Sequence, residues 1–295
     1  MHLGCTIFNM AKRRKKKRKI NKRNVMILLI IVAIIIFCFS SFFRIQKEKK
    51  EEQEETFVES SLVENTYNWN NLNKDGSFMS YEDENYTSMQ GIDVSSHQEW
   101  IDWEKVKNAG IEFAYIRVGY RGWETGEIHK DSYFDYNIQS CIKYGIKVGV
   151  YFFSQATSVD EAREEAEFTI NQIKSYNIDL PVSYDIEQAG EGEGRVDNLS
   201  REVWTQNAVT FLHIMKNAGY ETMNYNSTKL FEKYFLLEYM QEFDTWVAQY
   251  DVDYPTYQYT FSVWQYTDAG EVDGIDGGDT DMDIMFVKKE KNTNE

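Results

Sequence analysis

Residues 181–187 read PVSYDIE and lead into the glycine-rich segment QAGEGEG, residues 188–194. The run is short and apolar, with valine, tyrosine and isoleucine, which predicts a buried strand that ends on two acids. Similar runs recur from residue 91 onward, and amphipathic helical patterns lie between the first six of them. The predicted strands cover residues 91–95, 113–119, 147–153, 181–187, 222–226, 245–250, 261–266 and 282–287. The predicted helices lie near residues 102–109, 132–144, 158–176, 200–218 and 227–240.

This alternation of strands and helices predicts an α/β fold. Eight strands with five helices, and no helix between the last strands, favour an irregular, TIM-like (β/α) barrel that closes with antiparallel strands. An open, doubly wound sheet is the alternative, but no glycine-rich phosphate loop follows the first strand. Nucleotide binding is therefore disfavoured.

A basic block, residues 12–23, precedes an almost unbroken apolar run of 19 residues, 25–43. A run of about 20 apolar residues is long enough to cross a bilayer, and a cationic flank stays in the cytoplasm. The alternative is a cleaved signal peptide, but this run exceeds the usual apolar region and lacks a small-residue cleavage site. We therefore expect a basic cytoplasmic segment (1–24) and a single-pass transmembrane helix (25–43), with the remaining chain on the outer side of the membrane.

Composition divides the remaining chain into three parts. Residues 44–89 are charged and polar without a consistent apolar period, which predicts a flexible stalk. A folded domain is expected over residues 90–288, and a polar tail over 289–295. Residues 44–295 carry 22 basic and 48 acidic groups, so nucleic-acid binding is excluded as a function of the folded part. The three cysteines, at positions 5, 38 and 141, lack the spacing of a zinc site or a small disulfide scaffold.

Four acids stand where the predicted strands end. Asp185 and Glu187 are two residues apart, so both side chains project to the same side of a strand. Asp93 ends the first strand, and Asp281 precedes the last. Carboxyl groups that converge at the mouth of a barrel raise one another's pKa, and a carboxyl that stays protonated can act as a general acid. The alternative for each is a solvated loop, cap or turn residue.

The aromatic residues and a second acidic motif also suggest possible binding sites. The 45 aromatic rings suit stacking on sugar faces, although core packing is the alternative for each. The motif DGIDGGDTDMD, residues 273–283, has alternating acids as a calcium loop does, but the position that needs glycine holds Ile284. A calcium site is therefore disfavoured.

Seven sequence blocks follow one another along the predicted folded domain: GIDVSSHQ with IDW (91–103), FAYIRVGYRG (113–122), GIKVGVYFFSQA (145–156), LPVSYDIE (180–187), WVAQY (246–250), VWQYTDAGEVDGI (263–275) and DMDIMF (281–286). In this order they resemble glycoside hydrolase family 25, the Chalaropsis-type lysozymes that cut peptidoglycan. The resemblance implies an irregular barrel of eight strands and five helices, no cofactor, and hydrolysis of the β-1,4 bond between N-acetylmuramic acid and N-acetylglucosamine. Peptidoglycan glycan strands would be the substrate.

The same resemblance implies roles for individual residues. Glu187 would be the general acid, and Asp185 would orient the substrate's N-acetyl group, with a direct carboxylate nucleophile as the alternative. Asp93 and Asp281 would complete the acidic ring. The aromatic residues implied in substrate binding are Tyr120, Tyr151, Tyr225, Trp246 and Trp264.

The sequence differs from the family pattern at two positions, and it leaves two other functions open. Glu99 stands where glycine often follows the glutamine, and Asp283 stands where asparagine is common, so either Asp281 or Asp283 could face the mouth. A non-catalytic peptidoglycan-binding barrel is one alternative function, although it needs no proton donor. A glycosidase of chitin-like polymers is the other, but its acidic motif has more aspartates before the glutamate than PVSYDIE supplies.

Overall fold

The computed structural model describes residues 62–189, 192–276 and 279–290, together with Met26 and Arg44. The chain divides after Ser60, and the fold lies in the second unit, Ser61–Glu295. Apart from Met26, the predicted membrane span, 25–43, lies outside the described residues, as do the basic segment before it and the end of the polar tail. None of the helices formed by the described residues has the length and apolar character needed to cross a bilayer.

Strands and α-helices alternate along the described chain. Sequence signals set several helix ends: the Ser158 side chain accepts from the backbone N–H of Glu161 at the start of the third helix, and Gly145 ends the second with a φ of 68°. In chain order the elements are β1 (Leu72–Asp75), β2 (Phe78–Tyr81), β3 (Tyr86–Val94), α1 (Trp103–Asn108), β4 (Phe113–Arg121), β5 (Ile128–Lys130), α2 (Phe134–Tyr144), β6 (Lys147–Ser154), α3 (Val159–Ile173), β7 (Val182–Ile186), α4 (Arg201–Asn217), β8 (Thr222–Ser227), α5 (Thr228–Tyr234), β9 (Asp244–Ala248), β10 (Val263–Gly270) and β11 (Thr280–Lys288).

Eight of the strands form a closed barrel in the order β3-β11-β10-β9-β8-β7-β6-β4, and pairing between β3 and β4 closes it. Strand β11 runs antiparallel to both of its neighbours, whereas the other barrel pairs are parallel. The predicted irregular barrel, with eight strands and five helices, is therefore confirmed. The closure excludes the open doubly wound sheet.

The predicted flexible stalk is wrong for the part of it that the structure describes. From residue 62 the chain packs on the barrel and forms the hairpin β1–β2, and β3 begins at Tyr86, five residues before the predicted strand 91–95. The Tyr67 hydroxyl donates to the Phe261 carbonyl at 2.6 Å, and Tyr81 is 1% exposed. These aromatic residues stand singly among polar ones, so they give no apolar period, yet each finds a partner far away in sequence.

The barrel has an inner core and an outer one. The outer core lies between the strands and the helices, where Ile92, Phe152 and Trp204 are buried. Two strand glycines make room for inner rings, because a Cβ at Gly91 or Gly149 would overlap Phe113 or Tyr115. The inner core contains Phe113, Tyr115, Tyr151, Met223, Tyr225, Trp246, Ala248, Val263 and Met285. These side chains fill the barrel towards the amino ends of its parallel strands and leave the end at their carboxyl ends open.

Candidate active site

A cavity of about 320 Å³ lies at the carboxyl end of the parallel strands. This is the end at which barrel enzymes place their chemistry. Its walls combine carboxyl groups, aromatic rings, one amide and one guanidinium. The lining residues are Asp93, Arg117, Tyr151, Phe153, Asp185, Glu187, Tyr225, Trp246, Tyr250, Gln265, Asp268 and Asp281.

Asp185 and Glu187 occupy the end of β7, where the alternation of the strand turns both side chains into the cavity. Their carboxyl groups hydrogen-bond to each other. Burial raises the pKa of Asp185 well above its usual value, the nearby Glu187 raises it further, and the Arg117 guanidinium opposes the shift. Burial also raises the pKa of Glu187. The pair therefore holds a proton at a pH where isolated carboxyl groups are ionised.

Asp93 and Asp281 face each other across the β3–β11 pair. Burial raises the pKa of Asp281 to about 7, with added repulsion from Asp268 and Glu187. The pKa of Asp93 is likewise raised, first by burial and then by Asp281. The two strands thus bring a second set of proton-binding carboxyls to the cavity.

Asp283 lies on the same side of β11 as Asp281 but deeper inside the barrel. It is fully buried and does not line the cavity, and its Oδ1 accepts a hydrogen bond from Trp246 Nε1 at 2.8 Å. Asp281 is therefore the residue that faces the mouth, and Asp283 supports the indole of Trp246 from beneath.

Gln265 joins the acids to the aromatic wall. Its Oε1 accepts from the hydroxyls of Tyr225, at 2.7 Å, and Tyr250, at 2.5 Å. Its Nε2 donates to Asp93 Oδ2 at 2.6 Å. Because both hydroxyls are donors to the same oxygen, the amide can present only its NH₂ group to Asp93.

Arg117 is the only basic residue among those described in the cavity wall. Its Nε donates to Asp131 Oδ2 at 2.9 Å, and its Nη2 donates to Ser96 Oγ at 3.1 Å. Asp131 also accepts from the Ser96 backbone N–H at 2.9 Å. The guanidinium is thus fixed by a buried carboxylate of its own and does not form an ion pair with Asp185.

The structure brings most of the sequence-predicted site residues together. All four acids line the cavity, as do three of the aromatic residues, Tyr151, Tyr225 and Trp246. Trp264 does not, because it projects into the outer core and its Nε1 donates to the Gln249 carbonyl. Tyr120 does not line the cavity either. Its ring stacks on His129 at 5.2 Å, with the Arg117 guanidinium 5.2 Å from the ring centre.

Sequence reasoning did not single out Arg117, Gln265 or Asp268. The first two carried a usable signal, since each is a polar residue inside an otherwise apolar strand and shares the inward parity of its neighbours. Asp268 carried none, because it lies beyond a register shift in β10. Within the described ranges, no group of three or more His, Cys, Asp or Glu residues forms a candidate metal site.

Residues 92–275 match the family model "Glycosyl hydrolases family 25". The autolytic lysozyme of Clostridium acetobutylicum is 29% identical over 196 residues, which cover 66% of this chain and 55% of that protein. The bacterial lysozyme of Streptomyces coelicolor has a similar structure, with 27% identity and a TM-score of 0.53, covering 66% of this chain and 90% of that one.

A further similar structure is the modular autolysin LytC of Streptococcus pneumoniae in complex with a synthetic peptidoglycan ligand. It has 26% identity and a TM-score of 0.55, covering 67% of this chain and 46% of that chain. The present chain therefore spans about half the length of the two autolytic enzymes. Because the family model covers more than half of the present chain, the chain belongs to glycosyl hydrolase family 25.

Proposed function

We propose that the protein is a lysozyme-type peptidoglycan hydrolase that cleaves the β-1,4 bond between N-acetylmuramic acid and N-acetylglucosamine. The observation that carries the proposal is the hydrogen-bonded pair of Asp185 and Glu187, with raised pKa values, in an aromatic-walled cavity. Relatives that are themselves named lysozymes, and one that binds a synthetic peptidoglycan ligand, support it.

The carboxyl pair supports a reaction that retains the anomeric configuration. An inverting enzyme holds its two carboxyl groups about 6.5–9.5 Å apart to leave room for the attacking water. Two carboxyl groups in direct hydrogen bond, as in Asp185 and Glu187, leave no such room. We infer that the first attack comes from the substrate's own N-acetyl oxygen or from a carboxylate.

In the N-acetyl route, the amide N–H of the bound sugar donates to Asp185 and takes the place of Glu187 there. The proton that the pair shares then moves from Asp185 to Glu187, which transfers it to the glycosidic oxygen as the bond from C1 to that oxygen breaks. The N-acetyl oxygen closes on C1, and water later opens that ring while Glu187 takes the water's proton. Glu187 is thus restored to its starting state.

Asp93, Asp281 and Arg117 would have supporting roles in this reaction. Asp93 and Asp281 are proposed to keep the local proton affinity high, since each repels an ionised neighbour. Arg117 opposes this effect at Asp185 and lets that carboxyl ionise when the N–H arrives.

We also propose that the domain acts outside a bacterial cell membrane, held by the apolar run 25–43 with the basic block 12–23 in the cytoplasm. The proposal rests on the sequence. Alkaline extraction of membranes that contain the full chain, followed by protease treatment of intact cells, tests it: we expect the protein to stay in the membrane and the domain to be digested from outside. A protein that is released as a chain shortened at its N-terminus would instead identify a cleaved signal.

The activity is tested with the full-length protein in detergent on purified peptidoglycan. Reduction of the products with borohydride, followed by mass spectrometry, identifies the sugar at each new reducing end. We expect muramitol ends from the parent, about 10²–10⁴-fold slower release by Glu187→Gln, and parental rates from Glu167→Gln, which changes an exposed residue of α3. Binding without any release by the parent would instead support a non-catalytic binder, and glucosaminitol ends would exclude a muramidase.

A further inference from the structure

A second cleft, of about 460 Å³, adjoins the catalytic cavity. The two share Glu187, Tyr225 and Tyr250, so they form one continuous groove across the barrel mouth. The second cleft lies over the carboxyl ends of β8 and β9 and over the start of α5, and we refer to it as the β8–β9 cleft. Its other lining residues are Ser227, Thr228, Lys229, Leu230, Glu232, Ala248, Gln249 and Thr256.

The position of Glu187 indicates which part of the groove receives the departing sugar. Asp93, Asp185 and Asp281 line only the catalytic cavity, whereas Glu187 lines both spaces. In the proposed reaction, Asp185 contacts the sugar whose C1 is attacked, and Glu187 contacts the oxygen that departs with the next sugar. The departing sugar therefore lies on the far side of Glu187 from Asp185, which is the side of the β8–β9 cleft.

The walls of the β8–β9 cleft are suited to an uncharged sugar. Gln249 is held in place, since its Oε1 accepts from the Thr256 backbone N–H at 2.8 Å and from Thr228 Oγ1 at 3.3 Å. Tyr225 and Tyr250 have their hydroxyls engaged by Gln265, so their rings are fixed as surfaces. Fixed rings beside hydroxyl and amide groups are what a sugar needs for stacking and hydrogen bonding.

Lys229 adds a positive charge to the otherwise neutral or acidic lining of the β8–β9 cleft. Its side chain is exposed, and it forms no ion pair with another described residue. Beyond the departing N-acetylglucosamine, a peptidoglycan strand continues with an N-acetylmuramic acid that carries a stem peptide. The second residue of that peptide has a free carboxylate when it is D-glutamate and an amide when it is D-isoglutamine.

We propose, on the basis of the proposed muramidase function, that the β8–β9 cleft binds the leaving-group side of the glycan and that Lys229 recognises the stem-peptide carboxylate on the following muramic acid. The enzyme then favours strands whose stem peptides carry free D-glutamate over strands that carry D-isoglutamine. Lys229 is a specificity residue in this account and takes no part in bond cleavage.

The test uses the full-length protein and two synthetic trisaccharides, MurNAc-GlcNAc-MurNAc, each with the peptide only on the reducing-end muramic acid. One peptide contains D-glutamate and the other D-isoglutamine. Each trisaccharide has one scissile bond, and the peptide lies on its leaving side. The readout is the ratio of kcat/KM for the two trisaccharides.

We expect the parent to favour the D-glutamate form by roughly two- to fivefold, as for one exposed ion pair. Lys229→Gln should bring the ratio close to one, and Lys229→Glu should reverse it. Lys233→Gln is the matched control, because Lys233 is exposed one turn further along α5 and does not line the cleft. Trisaccharides with the peptide on the first muramic acid should show the same ratio in all four proteins.

An equal ratio in the parent and in both Lys229 variants would overturn the proposal, as would a ratio that changes only when the peptide lies on the first muramic acid. Failure of the underlying function looks different, because the parent would then release no muramic acid from any of the trisaccharides. Folding of each variant is checked by its unfolding temperature.

Discussion

Two regions of the molecule bury carboxyl groups, and they stabilise them in different ways. Glu165 on α3 is fully buried in the outer core, where it accepts from Arg121 Nε at 2.7 Å and from Ser154 Oγ at 2.7 Å. Asp185 in the cavity has no such ion pair, since the nearby Arg117 is bound to a different carboxylate. The Arg121 ion pair thus offsets part of the cost of burying Glu165, whose pKa still rises to about 7, whereas no such ion pair opposes the raised pKa of Asp185. A group that must exchange protons cannot be held by a permanent cation.

Replacement of Asp185 by asparagine should separate activity from stability most clearly. We expect kcat to fall by about 10²–10³, because the neutral amide cannot act as a carboxylate towards the N-acetyl group. Stability should stay the same or rise, because one member of a repelling cluster is lost. Turnover on purified peptidoglycan and thermal unfolding measure the two effects. A matching loss of stability would show that Asp185 is a structural acid like Glu165.

Replacement of Arg121 by methionine should instead reduce stability more than activity. Because Glu165 would be left as an unpaired buried acid, we expect the free energy of unfolding to fall by about 3–5 kcal/mol. Urea unfolding measures the change, and the double variant Arg121→Met with Glu165→Gln should recover much of it. Equal losses in the single and double variants would mean that packing by the arginine, and not its charge, stabilises this region.

Stability should also depend on pH near neutrality. The pKa values of Asp281 and Glu165 are each raised to about 7, above those of the unfolded chain. The stability that these two protonated groups contribute is therefore fully present below about pH 4, and it is lost as the pH rises through 7. We expect Tm to fall by roughly 3–6 °C between pH 5 and pH 8.

The variants Asp281→Asn and Glu165→Gln should each flatten part of this pH dependence of Tm. Asp75→Asn, at an exposed position of β1, serves as the control for a change of net charge. A slope that is unaltered in both variants would contradict the raised pKa values of these two groups.

The smallest effect should come from Tyr250→Phe. This variant removes one of the two hydroxyls that orient Gln265 towards Asp93, and leaves the ring in place. We expect kcat/KM to fall by about two- to fivefold, with a stability change of about 1 kcal/mol or less. Tyr239→Phe, at an exposed position, is the control. An unchanged kcat/KM would show that Tyr225 alone orients the amide.

Much of the site followed from the two-residue period of a strand. That period places Asp185 with Glu187, and it also separates the neighbours Trp264 and Gln265, of which only Gln265 faces the cavity. Trp264 was predicted to bind substrate because it lies near a strand end, but the two-residue period places its side chain outside the cavity. The local sequence contained enough information to avoid it.

Other features depend on contacts that no local pattern shows. The pairing of β4 with β6 shifts register between Arg117 and Gly119, and beyond the shift Arg121 turns outward to Glu165 instead of following Arg117 into the cavity. The parity of the strand alone would have placed both guanidinium groups inside. The segment from residue 62 to β3 was missed for a related reason, because its isolated aromatic residues pack on Phe261 and Phe286, about 200 residues away.

The folded segment before β3 shortens the chain that would connect the barrel to the proposed membrane anchor. Thr260 donates its backbone N–H to Val63, and Tyr67 binds Phe261, so the chain joins the barrel at the end opposite the cavity. With the proposed anchor at 25–43, the connecting chain comprises the 18 residues 44–61 instead of the 46 residues 44–89. Fully extended, it spans at most ~60 Å instead of ~160 Å. Under the proposed anchoring, the folded segment shortens the connecting chain by 28 residues, and the glycan strands within reach lie correspondingly closer to the membrane.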